Sequence, residues 1–346
     1  MYFRRLIRHA LCVLLTGLAV PGGTVAAEQT AGSSAVVIMY HRFGETRYPT
    51  TNVTLQQFEA HIGELTTGGY TVLPLPDIIN ALRGGRPLPE RTVGISIDDA
   101  FLSVYAEAWP RLKAAGLPFT VFVATDPVDQ HKPDFMTWAQ ISELAAAGVT
   151  IGAHSGSHLH MAKASPKRNQ DELARSKKRY QEMLGRTPEI FAYPYGESSL
   201  KIQNMAKDQG FIAAFGQHSG AFSQDDGMFD LPRFAMNENY SGMARFRLAV
   251  NALALPVTDL TPPDPMIAGN NPPAMGFTLT RDIKGMDRLS CFASHVGRAQ
   301  LERLGRRRIE IRVGEPFPKG RTRVNCTQPG PNGRWYWFGR QFYRPE

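Results

Sequence analysis

From residue 36 to about 255, short apolar runs alternate with amphipathic stretches, and no other feature narrows the fold as much. The apolar runs cover 36–40, 93–97, 119–124, 149–153, 190–193 and 211–215. Helical spacing marks 54–66, 101–115, 137–147, 169–184 and 200–209 between them. Strands without a polar face are buried on both sides, which requires a parallel sheet covered by helices. Six or seven such repeats are too many for a small open sheet and suit a barrel. Gly116, Gly148 and Gly210 stand where helix C-caps are expected.

The pattern breaks at Pro256, and six prolines fall within 256–276. The reading is α/β: a barrel over 35–255, a Pro-rich linker over 256–275 and a small β-rich accessory domain over 276–346. In the last part, 276–280, 308–313, 322–326 and 335–343 read as strands, and 297–304 as a helix-like interruption. On the pleat of the last strand, Trp335 and Trp337 share one face while Tyr336 and Phe338 share the other. Two readings stand. One face stacks sugars, with Arg340 and Arg344 meeting an anionic polymer, or both faces pack inward.

Charge is unevenly spread. Residues 257–346 hold 15 Lys+Arg against 8 Asp+Glu, a net of +7 out of +8 for the whole chain. A field of that sign attracts polyanions. With 42% hydrophobic and 20% charged residues, the composition excludes a disordered chain.

At the N-terminus, Arg4, Arg5 and Arg8 precede an apolar run over 11–20, and Val25, Ala26 and Ala27 supply small residues for cleavage. Residues 1–27 therefore read as a secretory signal peptide, with an uncleaved anchor helix as the rival. The expectation is export to a periplasm or to the exterior. Cys12 lies inside the apolar run, which argues against a lipoprotein site. Cys291 and Cys326 remain, either as a disulfide in an oxidising compartment or as two buried thiols.

Three places at C-terminal strand ends carry candidate chemistry, where barrels of this kind keep their catalytic groups. The first is Asp98-Asp99. Adjacent carboxylates repel unless a cation sits between them or one is protonated; alternatively one of them caps the helix that follows. The second is His154-Ser155-Gly156-Ser157-His158. If the chain turns helical there, both rings share a face and suit one ion. His160 falls outside that spacing and reads as a packing or supporting residue. The third is Pro194-Tyr195-Gly196, a rigid turn able to aim a backbone N–H at a developing oxyanion. Together, one carboxylate and two imidazoles leave an open position for water, and the second carboxylate is placed as a base.

These motifs resemble those of the polysaccharide deacetylases of carbohydrate esterase family four, the NodB-homology proteins, over residues 35–251. The resemblance implies a distorted (β/α)7 barrel, with Asp98 as general base and Asp99, His154 and His158 as metal ligands. It implies that Tyr195 offers its backbone N–H to the oxyanion. The Met39-Tyr40-His41-Arg42 opening is similar to the branch with poly-N-acetylglucosamine deacetylases, and His41 should face the site. Two family features are missing. The Arg before the Pro-Tyr-Gly turn is replaced by Ala192 and Tyr193, and Arg233 is the substitute expected to orient the base. The late His that serves as general acid is not visible, and His218 is the substitute expected there.

The implied activity is hydrolysis of acetyl groups from N-acetylated sugars of a cell-envelope or exported polysaccharide. The divalent ion is Zn2+ by default, with Ni2+ or Co2+ fitting the same donors. An O-acetyl esterase and a non-catalytic glycan-binding protein are the alternatives. No nucleic-acid partner and no membrane span after signal removal are expected.

Overall fold

The computed structural model describes residues 34–345, so the segment read as a signal peptide lies outside them. Among the described residues no helix is long and apolar enough to cross a membrane.

The apolar runs form strands β1 (Ser34–Tyr40), β2 (Thr92–Asp98), β3 (Thr120–Val123), β4 (Thr150–Ala153), β5 (Ile190–Ala192) and β6 (Ala213–Phe215). They pair in parallel in the order β1-β2-β3-β4-β5-β6. Val36, Ile38, Val93, Ile95, Ile97, Val121 and Val123 are buried in one core. Each such side chain contributes about 1.5–3 kcal/mol through burial. A short strand β7 (Ala221–Ser223) runs antiparallel to the start of β1.

Closure comes from the segment around Arg233. Leu231 bridges Phe215 at the end of β6, and Phe234 and Ala235 pair in parallel with Ile38 and Met39 of β1. This thin seventh staff completes a distorted (β/α)7 barrel. The helices Leu55–Thr67, Trp138–Ala146, Pro166–Leu184 and Leu200–Asp208 fall where helical spacing placed them. The stretch read as one helix after Asp99 begins with a π turn at Val104–Ala108 and continues as α-helix Trp109–Ala114. Pro110 lacks the N–H that an ordinary helical turn requires at that point.

The C-terminal part adds two sheets. One is ordered β8 (Leu253–Ala254), β16 (Trp335–Arg344), β15 (Gly320–Pro329), β11 (Ser290–Ala293) and β12 (Gly297–Arg298). The other is ordered β9 (Val257–Thr261), β10 (Met275–Leu279), β14 (Arg308–Arg312) and β13 (Gln300–Leu304). They enclose a core of their own that includes Val257, Met275, Phe277, Ile309, Ile311, Val324 and Phe342. Cys291 and Cys326 stand directly opposite each other on β11 and β15 and are joined by a disulfide.

Two expectations are corrected. Residues 297–304 are strands, not a helix, because pairing of Gln300–Leu304 with Arg308–Arg312 outweighs the local helical spacing. Val257–Thr261, inside the segment read as linker, is a strand of the second sheet.

Strand β16 shows why the C-terminal sheets lie tightly against the barrel. One face sends Tyr336, Phe338 and Phe342 into the C-terminal core, with Phe338 against Phe277 and Phe342 against Phe317. The opposite face meets the barrel: Trp337 packs edge-on against Phe234, and Gly339 lies against the Ser219 carbonyl. Both faces are therefore packed, and among Trp335, Tyr336, Trp337 and Phe338 only Trp335 is exposed. A Cβ on Gly339 would fall 1.8 Å from the Ser219 oxygen, closer than any contact tolerates. Gly339→Ala should cost about 1–3 kcal/mol through overpacking, seen as a melting temperature several degrees lower. Gly314→Ala, where an added Cβ meets nothing within 4 Å, should leave the melting temperature unchanged.

Candidate metal centre and active site

Asp98 is the last residue of β2, and it points into the barrel mouth fully buried. Arg233, also fully buried, grips it with both arms, Nη1 to Oδ1 at 2.7 Å and Nη2 to Oδ2 at 2.9 Å. The remaining Arg233 donors reach Ser96 Oγ and the Gly216 carbonyl. Burial alone would raise the Asp98 pKa, but Arg233 and the imidazoles of His154 and His41 hold it below the usual carboxylate range. The barrel-closing segment thus supplies the arginine that the Pro-Tyr-Gly turn lacks.

Asp99 follows with φ 75°, a left-handed conformation that turns its carboxylate away from Asp98 and toward two imidazoles. Its Oδ1 lies 3.4 Å from His154 Nε2 and 3.2 Å from His158 Nε2. Candidate ligand atoms of Asp99, His154 and His158 all fall within 4.8 Å of one another. Neither aspartate caps a helix: both carboxylates are committed to these partners, and the following helical turn has Ser103 at its start without a side-chain cap.

The two histidines converge by a route the spacing did not foresee. Residues 154–158 are not helical; Ser155 and His158 adopt φ 62° and 57°, and the loop folds the rings together. His154 Nδ1 donates to the Ala192 carbonyl at 2.7 Å, which leaves the Nε2 lone pair facing Asp99. That Nε2 is buried and lacks a hydrogen-bond partner. An orphaned acceptor beside a carboxylate and a second imidazole fits a divalent cation, and the three residues can hold one.

Side chains from helix Pro166–Leu184 pin this loop. Glu172, buried, accepts hydrogen bonds from the Ser157 N–H and hydroxyl. The Tyr180 hydroxyl meets the His154 N–H and the Val123 carbonyl. Neither residue was singled out from the sequence. Their signal was there: both are polar residues on the buried face of an amphipathic helix, in step with Asn169, Leu173 and Ser176.

Tyr195 sits at φ 60° in the Pro194-Tyr195-Gly196 turn. Its ring meets His158 edge-on at 4.5 Å and stacks flat on His160 at 3.7 Å. His160 Nδ1 lies 3.1 Å from the buried Glu197 carboxylate, which makes it a support for the turn.

His41 stands at the site, and His218 does not. The His41 Nε2 lies 3.9 Å from Asp98 Oδ2, and its side chain is partly exposed at the mouth. His218 is buried and lines a cavity of about 300 Å³ with Asp226, Asp230, Phe338 and Arg340, which none of the metal-centre residues lines. Burial, followed by Arg323, Arg340 and Arg233, pushes its pKa down to about 3. A ring that stays neutral at pH 7 and faces another cavity does not fit the proton donor expected at that position. Proximity in sequence to a barrel strand end was not enough, because the loop after β6 turns the ring away.

With this geometry in place, comparison with known proteins is decisive. The family model described as polysaccharide deacetylase matches residues 85–214. A Bacillus subtilis (strain 168) protein named "Putative polysaccharide deacetylase YxkH" is 30% identical over 208 residues, 60% of this chain and 73% of that protein. The chain belongs to the polysaccharide deacetylase family. It is accordingly a deacetylase, a hydrolase by reaction class. Another relative of this polysaccharide deacetylase is the poly-β-1,6-N-acetyl-D-glucosamine N-deacetylase of Staphylococcus aureus, 23% identical over 233 residues, 60% of this chain and 80% of the relative. In fold it is similar to the Streptococcus pyogenes deacetylase PplD solved with acetate, at TM-score 0.59 and 21% identity over 63% of this chain and 99% of that one. The IcaB structure from Ammonifex degensii aligns at TM-score 0.55 and 25% identity, covering 62% and 96%.

The buried pair invites a direct test. Arg233→Met strands Asp98 without its counter-charge and should cost about 3–5 kcal/mol in urea unfolding at pH 8. In the wild type, the depressed Asp98 pKa keeps its stabilisation intact above the unfolded value of about 4. In the variant, burial raises that pKa, so protonation on acidification relieves the penalty. The stability gap between the two proteins should narrow from pH 8 to pH 5; a constant gap would refute the assignment.

Proposed function

We propose that the protein is an exported, metal-dependent deacetylase acting on N-acetylated sugars of a cell-envelope or exported polysaccharide. The observation that carries the metal dependence is the buried His154 Nε2, without a hydrogen-bond partner and facing Asp99 and His158. Zn2+ is the first choice for two imidazoles and a carboxylate, with Ni2+ and Co2+ acceptable. When bound, such an ion supplies Lewis acidity to the acetyl carbonyl and makes water a nucleophile near neutral pH.

The chain's own residues do the rest. Asp98, held ionised and oriented by Arg233, takes the proton of the attacking water. The Tyr195 N–H stabilises the charge that develops on the carbonyl oxygen. The departing sugar amine needs a proton, and His41, at the open mouth 3.9 Å from Asp98, is the donor in reach. This replaces His218 in that role.

The N-acetyl substrate is supported by the relative that acts on poly-β-1,6-N-acetyl-D-glucosamine. Export is supported by the signal-like residues 1–27 and by the Cys291–Cys326 disulfide, which belongs to oxidising compartments. In this reading residues 35–255 are the catalytic barrel and 276–346 an accessory unit. Its net positive charge favours an anionic stretch of glycan at its surface.

Acetate release from β-1,6-linked N-acetylglucosamine oligomers, set against O-acetylated xylan, tests the substrate class. Release from the O-acetylated polymer alone would replace this reading by an esterase. Asp99→Ala and His154→Ala should each lose metal, measured by mass spectrometry of the protein, together with activity. Asp98→Asn should keep its metal and lose about 10²-fold or more in kcat, in the range of general-base removal. His41→Ala should lower kcat on the N-acetyl substrate more than on an activated ester, whose leaving group needs no proton.

A further inference from the structure

The Tyr195–Gly196 turn is held from outside the barrel. Gln341, on the barrel-facing side of β16 with Trp337 and Gly339, is 4% exposed. Its Nε2 donates to the Tyr195 carbonyl at 3.1 Å and to the Gly196 carbonyl at 2.8 Å. A side-chain amide nitrogen carries two N–H groups, and here each meets one carbonyl of consecutive peptides. Arg321 of the neighbouring strand adds a longer contact, Nη1 to the Tyr195 carbonyl at 3.4 Å. Arg323, directly opposite Gln341 in the β15–β16 register, reaches the Gln217 carbonyl on the adjacent loop.

The turn requires such a restraint. Tyr195 and Gly196 have φ 60° and 66°, and the left-handed region is unfavourable for a tyrosine. The stack of the Tyr195 ring on His160 restrains one side of this residue. On the other side, the Gln341 bonds fix the two peptide planes that follow the Tyr195 Cα. The Tyr195 N–H belongs to the preceding peptide, whose Pro194 carbonyl accepts from the Glu197 N–H at 3.2 Å, so Gln341 acts on it through the backbone rotation at Tyr195.

We propose that Gln341 is a positioning residue for the deacetylation reaction: the C-terminal sheet, through its amide, holds the oxyanion turn in its working conformation. The assignment rests on the reading that the Tyr195 N–H serves the oxyanion. It makes the C-terminal sheets part of the active-site framework, although Gln341 lies far beyond the residues 85–214 that match the family model.

The test uses the full mature chain with Gln341→Met, close in size and without donors. Gln341→Glu serves as a second variant of equal size that presents an acceptor to both carbonyls. Three quantities are measured: steady-state kinetics on a β-1,6-linked N-acetylglucosamine oligomer, metal content, and hydrogen exchange of a peptide spanning 193–198. The expected result is a kcat lower by about 10–100-fold, below the loss from deleting a whole oxyanion donor. KM should stay within about two-fold and metal content should match wild type, as expected when only transition-state interactions weaken. Exchange should accelerate in 193–198 and not in β2 or β3. An unchanged kcat with unchanged exchange in 193–198 overturns the proposal. So does a fall in kcat that tracks metal loss or uniform acceleration of exchange. If the wild type releases no acetate, the proposed function fails. Exchange in 193–198 still reports whether Gln341 holds the turn.

Discussion

The bidentate pair between Arg233 and Asp98 is the interaction on which the rest of the site depends. Both groups are buried, and either one alone would be a charge stranded in a low-dielectric interior. Arg233 rides on the thin segment that joins β6 to β1, so the ion pair couples barrel closure to the orientation of the Asp98 carboxylate. It also resolves the conflict inherent in two adjacent carboxylates. Asp98 is neutralised by a guanidinium on one side, and Asp99 turns through a left-handed residue toward two imidazoles on the other.

Around this pair, the site is built from backbone that local preference would not choose. Asp99, Ser155, His158 and Tyr195 all have positive φ. Such conformations persist only where surrounding contacts over-determine them. Those contacts come from elsewhere in the chain: Glu172 and Tyr180 from a helix, the stacked His160, and Gln341 from the C-terminal sheet. The rigid barrel supplies strand ends, and these distant side chains determine how each loop leaves its strand.

Much of this was legible in the residue order. The barrel strands fell within a residue or two of the apolar runs, because burial on both faces leaves an unbroken apolar signature. Asp98, Asp99, His154, His158 and Arg233 were all identifiable, and all five meet at the barrel mouth. The failures have a common cause. The helical spacing of 297–304 lost to pairing with a strand already in place, and the ring of His218 was turned into another cavity by the loop after β6. The i, i+4 spacing of His154 and His158 suggested a helix, whereas a left-handed loop brings the rings together.

By itself, then, the sequence determined the class of fold and the chemical inventory of the site, since hydrophobic periodicity and the types of side chain at strand ends are local properties. Only the tertiary structure decided that His218 lines a different cavity from the one at Asp98, and which peptide carbonyls Gln341 holds. It also decided that both faces of the aromatic strand are packed. These depend on contacts between segments tens to hundreds of residues apart, and no local pattern records the direction in which a side chain leaves a loop.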